Sequence, residues 1–360
     1  MSPLLIPTRN RPTSLSSVLH FLARYYRSTR VIVADGSDEE FKNHNRRNIE
    51  ALKQELAIDY RPYPAEFPYF DRLLDVLRGE SSEFLIMGSD DDYPMMDTLG
   101  EAEAFLLQNK DYCVAAGMLV VLRLDSPTKL SAKPFLARPI IGDTPLMRAR
   151  QFAQWSFQTT YAVTRRDVLI ERYERASQLF LVSFYDFSVG IQDCMHGKIK
   201  ALPKIGFIKT ANYKHSYLKP EAALIVLRRS QLVLQALDQI RRDLMHYAGL
   251  DEQDAQAHSE VFIRQRIAEL VGRPVHAMKG FEERGPYLNP VVQKQFDIFD
   301  ALFERDTPIR AQYEEKLKYI LAAIKASAQS DDNKGEKNKN ETLEDQMGEP
   351  LVAVGFPEEG

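Results

Sequence analysis

A chain of 360 residues with 44% hydrophobic content can bury a full core, and its length suits about two domains or one enlarged domain. Its 47 basic and 51 acidic residues leave a formal net charge of −4, so no global positive field exists to hold nucleic acid or an anionic bilayer, and a nucleic-acid reader is disfavoured. No apolar stretch approaches the roughly 20 residues that span a bilayer, and no charged region followed by a long apolar run opens the chain. The expectation is a cytoplasmic protein, at most peripheral at the inner face of a membrane. Cys113 and Cys194 form neither a metal-type pair nor a disulfide framework, and are expected as two small reduced apolar side chains.

Short apolar runs alternate with helical patterns in the first half, as in a mostly parallel sheet with crossover helices. Leu4 to Ile6 predicts a strand, Ser14 to Tyr26 a helix, and Arg30 to Ala34 a second buried strand. Asn45 to Leu56 and Phe70 to Arg78 read as helices; the apolar run Phe84 to Met87 then leads into Ser89, Asp90, Asp91 and Asp92. Tyr112 to Leu124 is strand-rich. From Ser126 to Arg150 Pro and Arg are frequent and periodicity is absent, which predicts a long connection able to act as a mobile lid. Phe157 to Val163 predicts a strand, Asp167 to Ser177 and Ser183 to Met195 helices, and Lys198 to Leu202 and Ile205 to Ile208 two short strands.

Beyond Pro220 the pattern is helical. Leu224, Leu227, Leu234, Leu237, Ile240 and Leu244 recur at three- and four-residue steps or their sums, a packing stripe with a homodimer contact as the second reading. Tyr313, Leu317, Ile320 and Ile324 repeat the pattern. The expected divisions are 1–125, 126–215 with the loop 126–150, a helical extension over 216–326, and a disordered tail over 327–360, where hydrophobicity is low and charge dense.

Polar loops follow the strands, at the edge where open α/β sheets bind ligands. Pro7, Thr8, Arg9, Asn10, Arg11 and Pro12 join the first strand to an amphipathic helix, so backbone N–H groups and Arg side chains could face a diphosphate. The same residue types also make an ordinary capped turn. Ala34, Asp35, Gly36 and Ser37 end the second strand, where a carboxylate can meet a base or ribose; Asp-Gly-Ser is equally a common turn. The triplet Asp90, Asp91 and Asp92 is the stronger signal, because three adjacent carboxylates repel one another and hard divalent cations take oxygen ligands together with phosphate. A solvated acidic turn is its bland alternative, and the position after a buried strand favours the cation reading.

Together these three motifs resemble the nucleotide-sugar domain of GT-A fold, family-2-like glycosyltransferases. The resemblance covers residues 3 to about 125, weakens to about 215 and is absent beyond. It implies an α/β fold, Rossmann-like with a mostly parallel central sheet, carrying an α-helical C-terminal extension. It further implies that Asp35 contacts the nucleobase, with Ala34 replacing the first acid of the family's Val-Asp-Asp-Gly-Ser signature. Asp90 and Asp92 match the DXD motif, for ribose or metal contact and for metal ligation, with Asp91 the variable middle residue. Arg72 falls where many relatives carry a basic residue facing the donor.

In that family the general base is an acid about ten residues before a Gly; Asp186, eleven positions before Gly197, is the candidate and Asp193 the rival. His215 lies near where some relatives supply a third metal ligand, although a lone His is more often a surface or core residue. Trp155, Phe157 and Tyr161 lie in the half expected to meet the acceptor, either packing on sugar C–H faces or filling the core.

The expectation is an inverting glycosyltransferase that moves a sugar from a nucleotide-diphosphate donor to a glycan or lipid-linked glycan acceptor in surface polysaccharide synthesis, assisted by Mn2+ or Mg2+. A sugar-phosphate nucleotidyltransferase is the enzymatic rival, disfavoured because the N-terminal loop lacks Gly. A non-catalytic glycan-binding or scaffolding relative is the third reading.

Overall fold

The computed structural model describes residues 1–126, 129–154, 156–176, 182–212, 230–276, 289–304 and 306–334. Its first part is a β-α repeat: β1 (Leu4–Thr8), α1 (Pro12–Tyr25), β2 (Arg30–Asp35), α2 (Glu39–Leu52), β3 (Ala57–Pro62), α3 (Tyr69–Gly79) and β4 (Phe84–Met87). These four strands are parallel, in the order β3-β2-β1-β4. Strands β1, β2 and β4 are apolar on both faces because helices cover both sides of such a sheet, whereas β3 at the end of the sheet is only partly buried. Leu4, Ile6, Val31 and Val33 face one core with α1, while Leu5, Ile32, Ala34, Leu85 and Met87 face another with α3. Pro12 opens α1, at a position where a helix has no use for an N–H.

The chain continues through β5 (Tyr93–Pro94), α4 (Met96–Gln108), β6 (Tyr112–Ser126), β7 (Lys129–Phe135), α5 (Pro145–Gln154), β8 (Val163–Arg165), α6 (Arg166–Ala176), α7 (Val182–His196) and β9 (Lys198–Asn212). Here the sheet becomes mixed. β8 runs antiparallel to both β4 and β6, β9 runs parallel to β6 and antiparallel to β5, and β7 forms a hairpin on β6. The full order is β3-β2-β1-β4-β8-β6-β9-β5, with β7 beside β6. The β6·β9 pair shifts register around Met118, where Gly117 and Gly206 meet. A Cβ on Gly117 would lie 2.7 Å from the Gly206 nitrogen and the Lys204 carbonyl, so only glycine permits that approach.

The remaining helices are α8 (Ser230–Ala248), α9 (Glu252–His276), α10 (Pro290–Phe303) and α11 (Pro308–Lys334). They are parts of two cores rather than a free-standing unit. Ala236, Ile240, Leu244, Phe262 and Ile263 of α8 and α9 pack with Phe152 of α5 and Phe187 of α7. Val292, Leu302, Leu317, Ile320 and Ile324 of α10 and α11 join the core under α1. No described helix is long and apolar enough to cross a membrane.

Several expectations are corrected. Residues 126–150, expected as one long connection, instead carry the β7 strand and the start of α5; alternating contacts with β6 order a segment whose Pro content hid its strand. Phe157 to Val163 is not a strand; only Val163 enters β8, and Phe157 packs in the core beside Phe152. The two short strands near Gly206 are one bulged strand, β9. The α2 helix begins at Glu39, not Asn45, because Glu39 and Glu40 suit a helix N-terminus. Strand β3 and helix α4 were not anticipated from the pattern. Leu234 departs from its stripe and is 61% exposed on α8. α11 runs to Lys334, past the tail boundary at 326, since adding residues to a helix already formed needs no new nucleus. Trp155, Leu224, Leu227, His215 and residues 335–360 lie outside the described residues. Cys113 and Cys194 are buried free thiols.

Candidate functional site

Parallel pairing sets the loops of β1, β2 and β4 on one edge. Thr8 is in register with Asp35, and Leu5 with Met87, so the loops after these strands converge. The Thr8 hydroxyl donates to Asp90 Oδ2 at 2.7 Å, and its carbonyl accepts from the Gly36 N–H at 3.1 Å and from Arg72 Nη1 at 3.2 Å. Thr8 thereby joins all three motifs.

Asn10 sets the first loop. It has φ 55°, a left-handed conformation that Asn tolerates better than most residues. Its N–H donates to Ser37 Oγ at 2.8 Å, its Nδ2 donates to Asp38 Oδ2 at 2.9 Å, and its Oδ1 accepts from the Asp38 N–H at 2.9 Å. Fixing Asn10 places Arg9 and Arg11 on either side of it.

Arg11 spans the acidic triplet. Nη1 is 2.7 Å from Asp90 Oδ1 and Nη2 is 2.6 Å from Asp91 Oδ2. Asp91 also accepts from Ser89 Oγ at 2.5 Å. Asp92 Oδ1 accepts the Thr210 N–H at 3.1 Å, its Oδ2 lies 3.8 Å from Lys209 Nζ, and the Tyr161 hydroxyl hydrogen-bonds to it. Burial, and next the charge of Asp91, push Asp92 up to about 6. Asp90 is pushed up to about 7 by burial, with Asp91 adding to the effect and Arg11 opposing it. For Asp91 burial acts upward as well, but the Arg11 charge and hydrogen bond prevail and its carboxyl is lowered.

Asp35 is wholly buried and accepts from the Ser37 N–H at 2.8 Å, Asn45 Nδ2 at 2.7 Å and the Tyr60 hydroxyl at 2.7 Å. Its described partners thus all belong to the protein. Arg72 is 4% exposed, and its guanidinium packs where a Cβ on residue 36 would stand, which is why that position is Gly. Its Nε meets no hydrogen-bond partner, and burial lowers its pKa, with the nearby Arg9 charge acting in the same direction. Two guanidiniums near one another at a strand edge make a natural seat for an anion.

Across the site, α7 brings Asp186 to the same side as the triplet. Asp186 Oδ2 accepts from Gln158 Nε2 at 2.9 Å and Oδ1 is 3.4 Å from Thr160 Oγ1. The Tyr161 phenol is near enough to Asp92, Asp91 and Asp186 for the charge of each to act on it. Asp193, the rival, lies elsewhere: both its oxygens bind Arg172 Nη2, at 2.7 and 2.8 Å, with both side chains at 0% exposure. A carboxylate locked in a buried ion pair cannot reach an acceptor. Tyr161 is partly buried and packs edge-on against Phe207, so it acts on Asp92 as well as in the core.

Among the described residues no three His, Cys, Asp or Glu groups converge as a complete metal cage. Magnesium-type sites need fewer, taking one or two carboxylates with the rest from phosphate and water. Asp92, whose Oδ2 lies 3.8 Å from the ammonium of Lys209, fits that mode, whereas both Asp90 oxygens already have close donors. Gln158, Thr160, Lys209 and Thr210 escaped the sequence reading because no motif marks them; they reach the site only through pairing of β5 with β9 and packing of the loop before β8.

No family model matches the chain, and no curated protein matches it. Solved structures similar to it include residues 1–349 of S. aureus TarS in complex with UDP-GlcNAc, at 15% identity and TM-score 0.48, covering 93% of this chain and 92% of that one. Another is the mannosyltransferase PcManGT from Pyrobaculum calidifontis in complex with GDP-Man and Mn2+, at 16% identity and TM-score 0.45, covering 89% and 85% of the two chains. A third is GalNAc-T7 with UDP, GalNAc and Mn2+, at 10% identity and TM-score 0.45, covering 77% and 58%.

Proposed function

We propose that the chain is an inverting GT-A glycosyltransferase, transferring a sugar from a nucleotide-diphosphate donor to a hydroxyl of a glycan or lipid-linked glycan in surface polysaccharide synthesis at the cytoplasmic face of a membrane. The observation that supports it is the pairing of an acidic edge, Asp90 to Asp92, with a separate carboxylate, Asp186, across one site beside the buried guanidinium of Arg72. Residues 1–125 then hold the donor and 126–215 meet the acceptor. Leu234, Met245, Val261 and Phe303 are exposed apolar side chains of the helical region, open to a homodimer contact.

Arg72, Arg9 and the N–H groups after β1 face the diphosphate in this reading, while Asp35 and Asp90 border the nucleoside. Asp92, with Asp90 beside it, would hold Mn2+ or Mg2+, and His215, outside the described residues, is the third ligand the resemblance implies. A bound divalent cation supplies neutralising charge for the departing diphosphate. Asp186 accepts the acceptor's proton through an oxygen that Gln158 does not occupy. Tyr161 and Lys209 keep Asp92 turned toward the donor side.

The test is a thermal-shift panel of UDP, GDP and their sugars with and without manganese, since a ligand bound by the native state alone raises its apparent stability. A rise that needs both nucleotide and metal is expected, and hydrolysis of the stabilising donor should follow. No shift with any nucleoside diphosphate would overturn the donor assignment.

A further inference from the structure

Gln158 and Lys209 stand between Asp92 and Asp186, the carboxylates assigned above to the donor and to the acceptor. Lys209 Nζ is 3.8 Å from Asp92 Oδ2, 4.1 Å from the centre of the Tyr161 ring and 3.3 Å from Gln158 Oε1. An ammonium can only donate, so it fixes the amide oxygen of Gln158 on its own side. The amide nitrogen must then face Asp186, where it lies 2.9 Å from Oδ2. The flipped amide would set its oxygen against a carboxylate and its NH2 against an ammonium, two repulsions in place of two attractions. Thr160 at 3.4 Å is too distant to hold Oδ1 equally well, so Oδ1 is the freer oxygen.

We propose that Gln158 and Lys209 are positioning residues for Asp186, Lys209 fixing the Gln158 amide and that amide holding Oδ2 so that Oδ1 is presented to the acceptor hydroxyl. This rests on the reading of Asp186 as the base. The connection Asp92, Lys209, Gln158, Asp186 sets donor-side and acceptor-side carboxylates as one unit. A base misplaced by an ångström loses much of its advantage, so the effect belongs in kcat rather than in binding.

Two measurements test it. Full-length protein labelled with 15N-glutamine reports the Gln158 side-chain NH2, identified by its loss in Gln158→Leu. Its signal should move in Lys209→Met toward that of an unrestrained amide and return in Lys209→Arg; an unmoved signal in Lys209→Met overturns the amide-fixing role without any need for a donor. Turnover of the nucleotide sugar found in the panel above is then measured in Gln158→Leu, Asp186→Asn and the double variant, each checked for an unchanged melting temperature. Gln158→Leu touches neither Asp92 nor the phosphate groups, so kcat should fall about tenfold with donor KM within about twofold. In the Asp186→Asn background the same change should cost nothing further, because its route is gone. Normal turnover by Asp186→Asn would remove the base assignment itself. A collapsed Asp186→Asn beside an undiminished Gln158→Leu, or a Gln158 loss that persists in the double variant, would overturn the positioning role alone.

Discussion

On the edge made by β1, β2 and β4, Asp35, Asp90 and Asp91 each meet at least two protein donors within 3 Å, whereas on the opposite wall Asp186 has one short hydrogen bond, from Gln158, and a long contact to Thr160. The carboxylates of the proposed donor side are held by strand register and by loops such as that of Asn10. Asp186, the carboxylate proposed as the base, leaves one oxygen with only the long Thr160 contact, as that role requires. A second contrast lies within α7, where Asp186 and Asp193 are seven residues apart. One hydrogen-bonds to Gln158 near the triplet and the other is sealed with Arg172, so the same residue type on one helix meets two different environments, and only the first suits the proposed base.

The comparison is broken most severely at Asp186. Asp186→Asn should lower sugar transfer by roughly 10² to 10⁴ while nucleoside-diphosphate affinity measured by calorimetry stays near wild type. Transfer near the wild-type rate, or a product that NMR shows to retain the donor's anomeric configuration, would sink the assignment. Asp193→Asn should act on the other quantity. It strands a buried guanidinium, and a broken buried pair costs about 3–5 kcal/mol, so chemical denaturation should reveal a large stability loss. A variant as stable as the parent would show the pair to be dispensable.

Gly36→Ala sharpens the donor side alone. The new methyl would occupy the place of the Arg72 guanidinium, which being the end of a flexible side chain will swing away. Stability should change little, while nucleoside-diphosphate affinity falls about tenfold, the low end for a lost charge-assisted hydrogen bond. Unaltered affinity would take Arg72 out of the donor site.

The smallest expected effect concerns the attachment of α8 to the acceptor half. His196 has its pKa lowered by burial, with Glu171 3.5 Å away opposing the shift. Because the folded form is the weaker base, its stabilising contribution is complete above the unfolded value of about 6.5 and is lost as pH falls below it. His196→Gln should flatten the stability profile between about pH 6.5 and 5, and an unchanged slope in denaturant titrations would dismiss the residue as the source.

Much of the donor half was legible because each strand there is a continuous apolar run ending in a polar loop. Phe84 to Met87 matched β4 at both ends, and Asp90 followed from it. β3 was not legible: Ala57–Pro62 alternates Asp, Tyr and Arg on a strand at the end of the sheet, which only partly buries its side chains. The segment 126–150 misled for a related reason, since β7 is defined by pairing with β6 and not by its own apolar content. On the acceptor side, spacing to Gly197 put Asp186 first and left Asp193 as its rival; that Asp193 is sealed against Arg172 was not legible.

The sequence by itself determined three of the four parallel strands, β1, β2 and β4, the three polar loops that end them, and the short list of carboxylates. Those follow from local pattern, because burial on both faces demands apolar runs and the chain must turn where they stop. Only the tertiary structure decided which acid stands free and which is sealed. Arg172 reaches Asp193 across 21 residues, Gln158 reaches Asp186 across 28, and Thr210 reaches Asp92 across 118. A side chain's partners over such separations are fixed by how strands and helices pack, and packing is a property of the whole chain rather than of any segment of it.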